Sequence, residues 1–149
     1  MGVFNESTNL PHITYQPQNE QEAWIAIMHA CIAVDEDVAE EELDELAQTL
    51  ANKELFEGHN ILEYYKTVML AHTQIGSKQL IDNSVDFISP EYKATLFALI
   101  IELVLADGRI DEKERELIKY LYSALDMEVD LANKIVEVIL IKNKGNGIF

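Results

Sequence analysis

The chain has 149 residues, 48% of them hydrophobic, and this length predicts one domain with a sizeable core. Its 11 basic and 27 acidic residues give a formal net charge of -16, so nucleic acid and anionic lipid surfaces are repelled at long range. The single cysteine, Cys31, excludes an intramolecular disulfide and a cysteine-rich zinc site. The longest apolar run, Thr95 to Ala106, is shorter than the roughly 20 residues of a membrane span. We therefore expect a cytoplasmic protein without nucleic-acid partners or direct membrane insertion.

The first 18 residues predict an irregular N-terminal arm, because they show no sustained hydrophobic period and contain two of the three prolines. Asn19 and Glu22 then have the spacing of a capping box at a helix start. The run from Ala23 to Val34 is apolar on nearly every side and predicts a buried central helix. An amphipathic helix with an acidic outer face is predicted next, and it ends near Lys53.

Further helices are predicted along the rest of the chain, from capping residues and apolar positions at helical spacing. They run from Asn60 towards Gly76, from Lys78 to Phe87, from Pro90 to about Ala106, from the following turn to Leu125, and over about residues 130–142. The predicted fold is all-α, a single helical domain of about six to seven helices. We expect this domain to cover residues 19–149 and to consist of two pseudo-symmetric halves, about 20–75 and 90–145.

An acidic turn joins two of these helices between Ala106 and Glu114. Asp107-Gly108 is a turn signal, because glycine adopts a positive φ at no steric cost and aspartate can bond its own backbone. Asp111 stands three residues before Glu114, the spacing of a capping box at the start of the next helix. Nearly the same order of residues occurs from Val34 to Glu42, and this similarity predicts the internal repeat.

The acidic segments are candidate binding sites for a divalent cation. Eight carboxylates and no basic residue lie between Asp35 and Glu45. Crowded like charges cost a helix roughly 0.2–0.5 kcal/mol per pair, and a bound cation relieves that cost. Carboxylates favour hard ions such as Ca²⁺, Mg²⁺ or Mn²⁺. In the second turn the carboxylates close enough to share an ion are Asp107, Asp111 and Glu114, and Glu102 would complete a site if it faced inward.

Capping and surface ion pairs are the alternative interpretation of these acids, since basic residues also flank the second turn. A regular EF-hand loop is excluded, because Leu103 and Leu105 stand at its first and third positions and cannot ligate. The sequence contains neither Glu-x-x-His nor His-Glu-x-x-His, which removes the simplest di-iron bundle and zinc-protease interpretations. His29 and Cys31 are two residues apart on a helix, a spacing that argues against a nucleophilic pair.

This combination of features resembles the TerB family of tellurite-resistance and stress proteins. The resemblance covers roughly Gln21 to Asp130: a buried helix, an acidic turn, Lys53-Glu54-Leu55-Phe56 before an aromatic-rich helix, then a second apolar helix and Asp107-Gly108-Arg109-Ile110. The first turn departs from the family pattern, because Glu36 stands where the family usually has glycine.

The resemblance implies an all-α, non-enzymatic module of metal-stress or envelope responses that binds cations and associates with membrane-associated proteins of the same system. Its acidic positions fall on Asp35, Asp37 and Glu42 in the first half, and on Asp107, Asp111 and Glu114 in the second. We therefore expect a TerB-like protein that senses Ca²⁺, Mg²⁺, Mn²⁺ or Zn²⁺ and acts through protein partners, in an oligomeric state that the sequence leaves open.

Two other functions remain open from the sequence. The first is an acidic adaptor that binds a basic partner without metal, in which case partner binding weakens in salt. The second is a carboxylate-metal hydrolase, which would need a cleft that joins Glu102 to an acidic turn. Reduction of tellurite by the chain itself is not expected, because that chemistry needs reactive thiols and the only cysteine lies on an apolar helix.

Overall fold

A computed structural model describes residues 14–33, 40–106 and 108–146, except for the side chains of residues 40–43. Within these residues the chain forms six α-helices and no strand. The helices are α1 (Glu20–Ile32), α2 (Glu40–Ala51), α3 (Ile61–Ser84), α4 (Lys93–Val104), α5 (Glu112–Ala124) and α6 (Val129–Asn143). Short 3-10 turns lie at Glu54–Phe56, Val85–Phe87 and Pro90–Tyr92. The predicted all-α fold and single helical domain are confirmed.

Helix α1 is the central element of the fold. Its residues 22–31 are all buried, as expected from a run that is apolar on nearly every side. Helices α3 and α4 pack against it. Trp24 is fully buried and meets Phe56 and Tyr92 edge-on, with ring centroids 5.8 and 6.0 Å away. Edge-on contacts suit the aromatic quadrupole and fix the position of α1 among its neighbours.

The apolar stripes of α4 and α5 face the same core. Phe97, Ile100 and Ile101 on α4 are fully buried, and so is Leu121 on α5. Helix α6 packs on α4 and contributes Ala132 and Ile139 to the cluster of buried residues. Phe97, Ile100, Leu121 and Ile139 are all at apolar positions of the predicted helices and lie in the core. Among the described helices, none combines the length and the hydrophobicity that crossing a membrane requires.

Gly76 interrupts α3. It has φ 81° and ψ 172°, a backbone conformation that glycine adopts readily and other residues avoid. The sequence predicts two helical pieces with a break at this glycine, and the structure contains both, joined across a kink. Asn60 caps the first piece by accepting a hydrogen bond from the Glu63 N–H at 3.2 Å.

The start of α1 differs in detail from the predicted capping box. Asn19 accepts the Glu22 N–H at 2.9 Å, so the N-cap itself is confirmed. The Glu22 carboxylate instead accepts hydrogen bonds from Tyr15 Oη at 2.5 Å and from Gln18 Nε2 at 2.9 Å. The sequence could not show this choice, because it depends on Tyr15 packing against the helix. Burial and the Glu22 carboxylate raise the pKa of Tyr15.

Candidate functional site

The second acidic turn begins where α4 ends. Leu105 is the C-cap of α4 and is fully buried, and its carbonyl accepts the Gly108 N–H at 2.9 Å. Gly108 has φ 79°, which is the positive value that the Asp-Gly signal predicts. The backbone therefore reverses within a few residues and delivers Asp111 to the start of α5.

Asn143, the last residue of α6, and Asn146, three residues beyond it, anchor this turn. Asn143 is buried and donates a hydrogen bond from Nδ2 to the Leu105 carbonyl at 3.0 Å. Asn146 donates in the same way to the Ala106 carbonyl at 2.9 Å. These bonds satisfy carbonyl groups that the end of α4 leaves without a helical partner. A Cβ atom on Gly108 would lie only 2.6 Å from the Asn143 carbonyl oxygen, so the close approach also requires glycine.

Asp111 and Glu114 form the predicted capping box. The Asp111 carboxylate accepts the Glu114 N–H at 2.7 Å, and the Glu114 carboxylate accepts the Asp111 N–H at 3.0 Å. Each bond uses one carboxylate oxygen, Oδ1 of Asp111 and Oε1 of Glu114. An ionised carboxylate has two oxygens and about four lone-pair sites, so capping and cation binding are chemically compatible.

Glu102 does not lie in the core. Its carboxylate accepts a hydrogen bond from Lys142 Nζ at 2.8 Å, and the Glu102 side chain is 42% exposed. This ion pair links α4 to α6 across the surface. Pairs of this kind contribute about 0–1 kcal/mol to stability, because water and salt screen them. The lone carboxylate of the apolar run is therefore placed on the surface with a cationic partner.

The other candidate ligands lie outside the described part of the chain. This applies to Asp35, Asp37 and Asp107, and to the side chain of Glu42, whose backbone belongs to α2. Over 14–33, 40–106 and 108–146, excepting the undescribed side chains, no three or more His, Cys, Asp or Glu side chains form a group that could hold a metal ion. The seven-residue ligand set remains a prediction.

A buried polar cluster between α1 and α3 was not predicted as such. The His29 Nδ1 atom lies 2.8 Å from Tyr65 Oη, and the His29 ring meets His72 edge-on at 4.8 Å. His72 Nε2 lies 3.0 Å from Ser77 Oγ, and Ser77 donates to the Ala30 carbonyl at 2.9 Å. Burial, and then the charge of His72, lower the pKa of His29 to about 4. The only sequence signal is a histidine within an apolar run, which does not reveal its partners.

The thiol of Cys31 lies in the core. It is buried, and burial raises its pKa to about 12, so the thiol stays protonated near neutral pH. Its neighbour His29 makes its described contacts with Tyr65 and His72. The expectation that the histidine and the cysteine form no catalytic pair stays a prediction.

Comparison with known proteins identifies one family. Residues 21–135 match the family model described as "Tellurite resistance protein TerB". This match includes α2 to α5, α1 from its second residue and about the first half of α6, and it contains both acidic segments. Searches of curated proteins and of solved structures give no match.

Proposed function

The chain belongs to the TerB family of tellurite-resistance proteins, and from this premise we propose that it binds a divalent cation at its acidic turns and acts through protein partners. It is a non-enzymatic component of a metal-stress response. It works in the cytoplasm and reaches the inner membrane only through membrane-associated partners. The observation that carries the proposal is the family match across both acidic turns, together with the preformed geometry of the second.

The second turn supports cation binding through its rigidity and its donor chemistry. Asn143, and Asn146 just beyond α6, bond the Leu105 and Ala106 carbonyls at the start of this turn, so less ordering entropy opposes binding. Asp111 and Glu114 supply carboxylate oxygens, the donors that Ca²⁺, Mg²⁺ and Mn²⁺ prefer. Asp107 is the third donor of the proposed site. In the first half, Asp35, Asp37 and Glu42 form the proposed counterpart.

The proposal is tested by titrating chelator-treated, metal-free protein with Ca²⁺, Mg²⁺, Mn²⁺ and Zn²⁺ in a calorimeter. The key variant combines Asp111→Asn and Glu114→Gln. Asparagine is as good an N-cap as aspartate, and glutamine can replace glutamate in a capping box, so this variant removes charge and retains capping. We expect saturable binding by the native chain and at least a tenfold weaker affinity in the variant. At a free cation concentration of 100 times Kd, each occupied site also adds about 2.7 kcal/mol to the free energy of unfolding.

The matched control is the pair Glu116→Gln and Glu137→Gln, which removes the same charge from exposed positions of α5 and α6 outside the turn. It leaves cation affinity almost unchanged if the turn is the site. A weak heat of cation binding that decreases with added salt and is equal in both variants would contradict the proposal. In that case the acids only attract counterions.

An acidic adaptor without metal is the second candidate function, and the exposure of Asp44 and Glu45 on α2 favours it. Such an adaptor gives no thermal shift with divalent cations beyond that of NaCl at equal ionic strength. It binds a basic partner through contacts that salt weakens. A hydrolase is less well supported, because Glu102 is paired with Lys142 on the surface.

A further inference from the structure

A small cleft lies between α5 and α6, and Ile110, next to Asp111 in the chain, is one of the residues that line it. Its walls include the apolar side chains of Ile118, Tyr122 and Val136, and three polar side chains line it with them: Arg115, Lys119 and Asn133. The cleft has a volume of about 100 Å³. Sites for drug-sized ligands are larger, roughly 300–1,000 Å³, so this one has room for about one side chain.

The charge of this cleft is opposite to that of the molecule. The chain has 11 basic and 27 acidic residues, yet two of the basic residues line the cleft and no carboxylate does. Arg115 and Lys119 are four residues apart on α5, a spacing that places both side chains on one face of the helix. Neither of them forms an ion pair with any residue in the described part of the chain.

Arg115 and Lys119 also have no ion-pair partner within their own helix. Two carboxylates of α5, Glu112 and Glu116, stand three residues before Arg115 and Lys119, a spacing at which helical ion pairs form. Neither of them is paired with these cations or lines the cleft. The two positive charges therefore remain available to a ligand at the edge of an apolar surface.

We propose that this cleft binds a short acidic segment of a protein partner. One apolar side chain of the segment fills the space between Ile118, Tyr122 and Val136. The adjacent carboxylates pair with Arg115, whose planar guanidinium accommodates a carboxylate in bidentate fashion, and with Lys119. The Asn133 amide can both donate to and accept from the peptide backbone. Nucleic acid is not the occupant, because a charge of -16 opposes a long polyanion and the cleft offers only two cations.

This inference is independent of cation binding, so its test is carried out in EDTA. The probe is a blocked, fluorescein-labelled peptide of eight residues, with one leucine flanked on each side by aspartates. In one comparison peptide serine replaces the leucine, and in another lysines replace the aspartates. We expect saturable binding of the first peptide, measured by fluorescence anisotropy, and at least tenfold weaker binding of the other two. The affinity decreases as NaCl is added, because salt screens the contacts to both cations.

The protein variant joins Arg115→Gln and Lys119→Gln, both at exposed positions, so the core is left intact. Its control joins Lys66→Gln and Lys134→Gln, which remove the same charge at exposed positions outside the cleft. Loss of binding by at least tenfold in the first variant alone supports the proposal. Equal loss in both would show a general charge effect and overturn it. Hexanoate competing as strongly as the unlabelled peptide would also overturn it, in favour of a small-carboxylate site.

Discussion

Gly108 shows most directly how one residue determines the geometry of the site. Both its φ of 79° and the 2.6 Å from a built Cβ atom to the Asn143 carbonyl oxygen exclude a side chain. The first requirement follows from the turn and can be read from Asp-Gly in the sequence. The second requirement comes from a contact with α6, and no local sequence pattern predicts that contact.

We expect Gly108→Ala to lower the free energy of unfolding by about 2–4 kcal/mol. Roughly 1 kcal/mol comes from the left-handed conformation, and about 1–3 kcal/mol from the forced displacement of α6. Gly58→Ala is the matched control, because Gly58 has φ 80° and no atom within 4 Å of its built Cβ. Urea unfolding of both variants measures the difference. Equal losses would show that the contact with α6 adds nothing.

His29 makes the stability of the fold depend on pH. Its folded-state pKa is about 4, below the ordinary 6.5, because burial and the charge of His72 disfavour the protonated ring. The unfolded chain therefore binds more protons between these values, and the contribution of His29 to stability is lost as pH falls from about 6.5 towards 4. For a shift of this size we expect a loss of about 2 kcal/mol between pH 7 and pH 5.

The measurement is the free energy of unfolding at both pH values for the native chain and for His29→Gln. The carboxylates are common to the two proteins, so the difference between their pH slopes reports the titration of His29 together with its coupling to His72. His59→Gln serves as the control, since its ring is only partly buried and bonded to Tyr64. Identical slopes for all three proteins would show that His29 titrates normally in the fold.

At the scale of elements, the starts of the two buried helices are tied together by one carboxylate. Glu20, the first residue of α1, accepts the Ser89 N–H at 2.9 Å and the Ser89 hydroxyl at 2.7 Å. It also accepts Trp24 Nε1–H at 3.3 Å. The sequence predicts a helix from Pro90, and a 3-10 turn followed by α4 begins there. The Ser89 side chain, however, makes no cap within its own turn.

We expect Glu20→Ala to lower the free energy of unfolding by about 1.5–3 kcal/mol, the usual value of hydrogen bonds to a charged group. Glu91→Ala is the control, because Glu91 is an exposed carboxylate close to Ser89 and makes none of these bonds. Thermal or urea unfolding of both variants decides the point. Similar small losses would mean that helix packing alone holds the two starts together.

Local sequence patterns predicted most of the helices. They did not predict hydrogen bonds between residues that are distant in the chain. The all-apolar run of α1 and the Asp111–Glu114 capping box follow from spacing alone, because both depend on neighbours within a few residues. The Glu20–Ser89 bonds span 69 residues and the Asn143–Leu105 bond spans 38. Contacts of that separation depend on the packed fold, so no helical period reveals them.

At the scale of the whole molecule, the same limit applies to the candidate site. The sequence drew attention to clustered acids, because composition and charge runs are visible without a fold. It did not reveal the cleft beside them, because Arg115 and Asn133 belong to different helices and meet only when α5 packs near α6. A chain with a net charge of -16 thus presents an acidic turn and a basic cleft close together, and the two sites suit ligands of opposite charge.

The hydrogen bond from Asn143 to the Leu105 carbonyl also affects when the turn can fold during translation. Asn143 follows Leu105 by 38 residues, so the ribosome synthesises the residues of the turn well before it adds Asn143. At 5–20 residues per second this interval lasts about 2–8 s. During that time the turn lacks its final anchors. In a nascent chain the second acidic turn therefore reaches its native geometry only after α6 has been made.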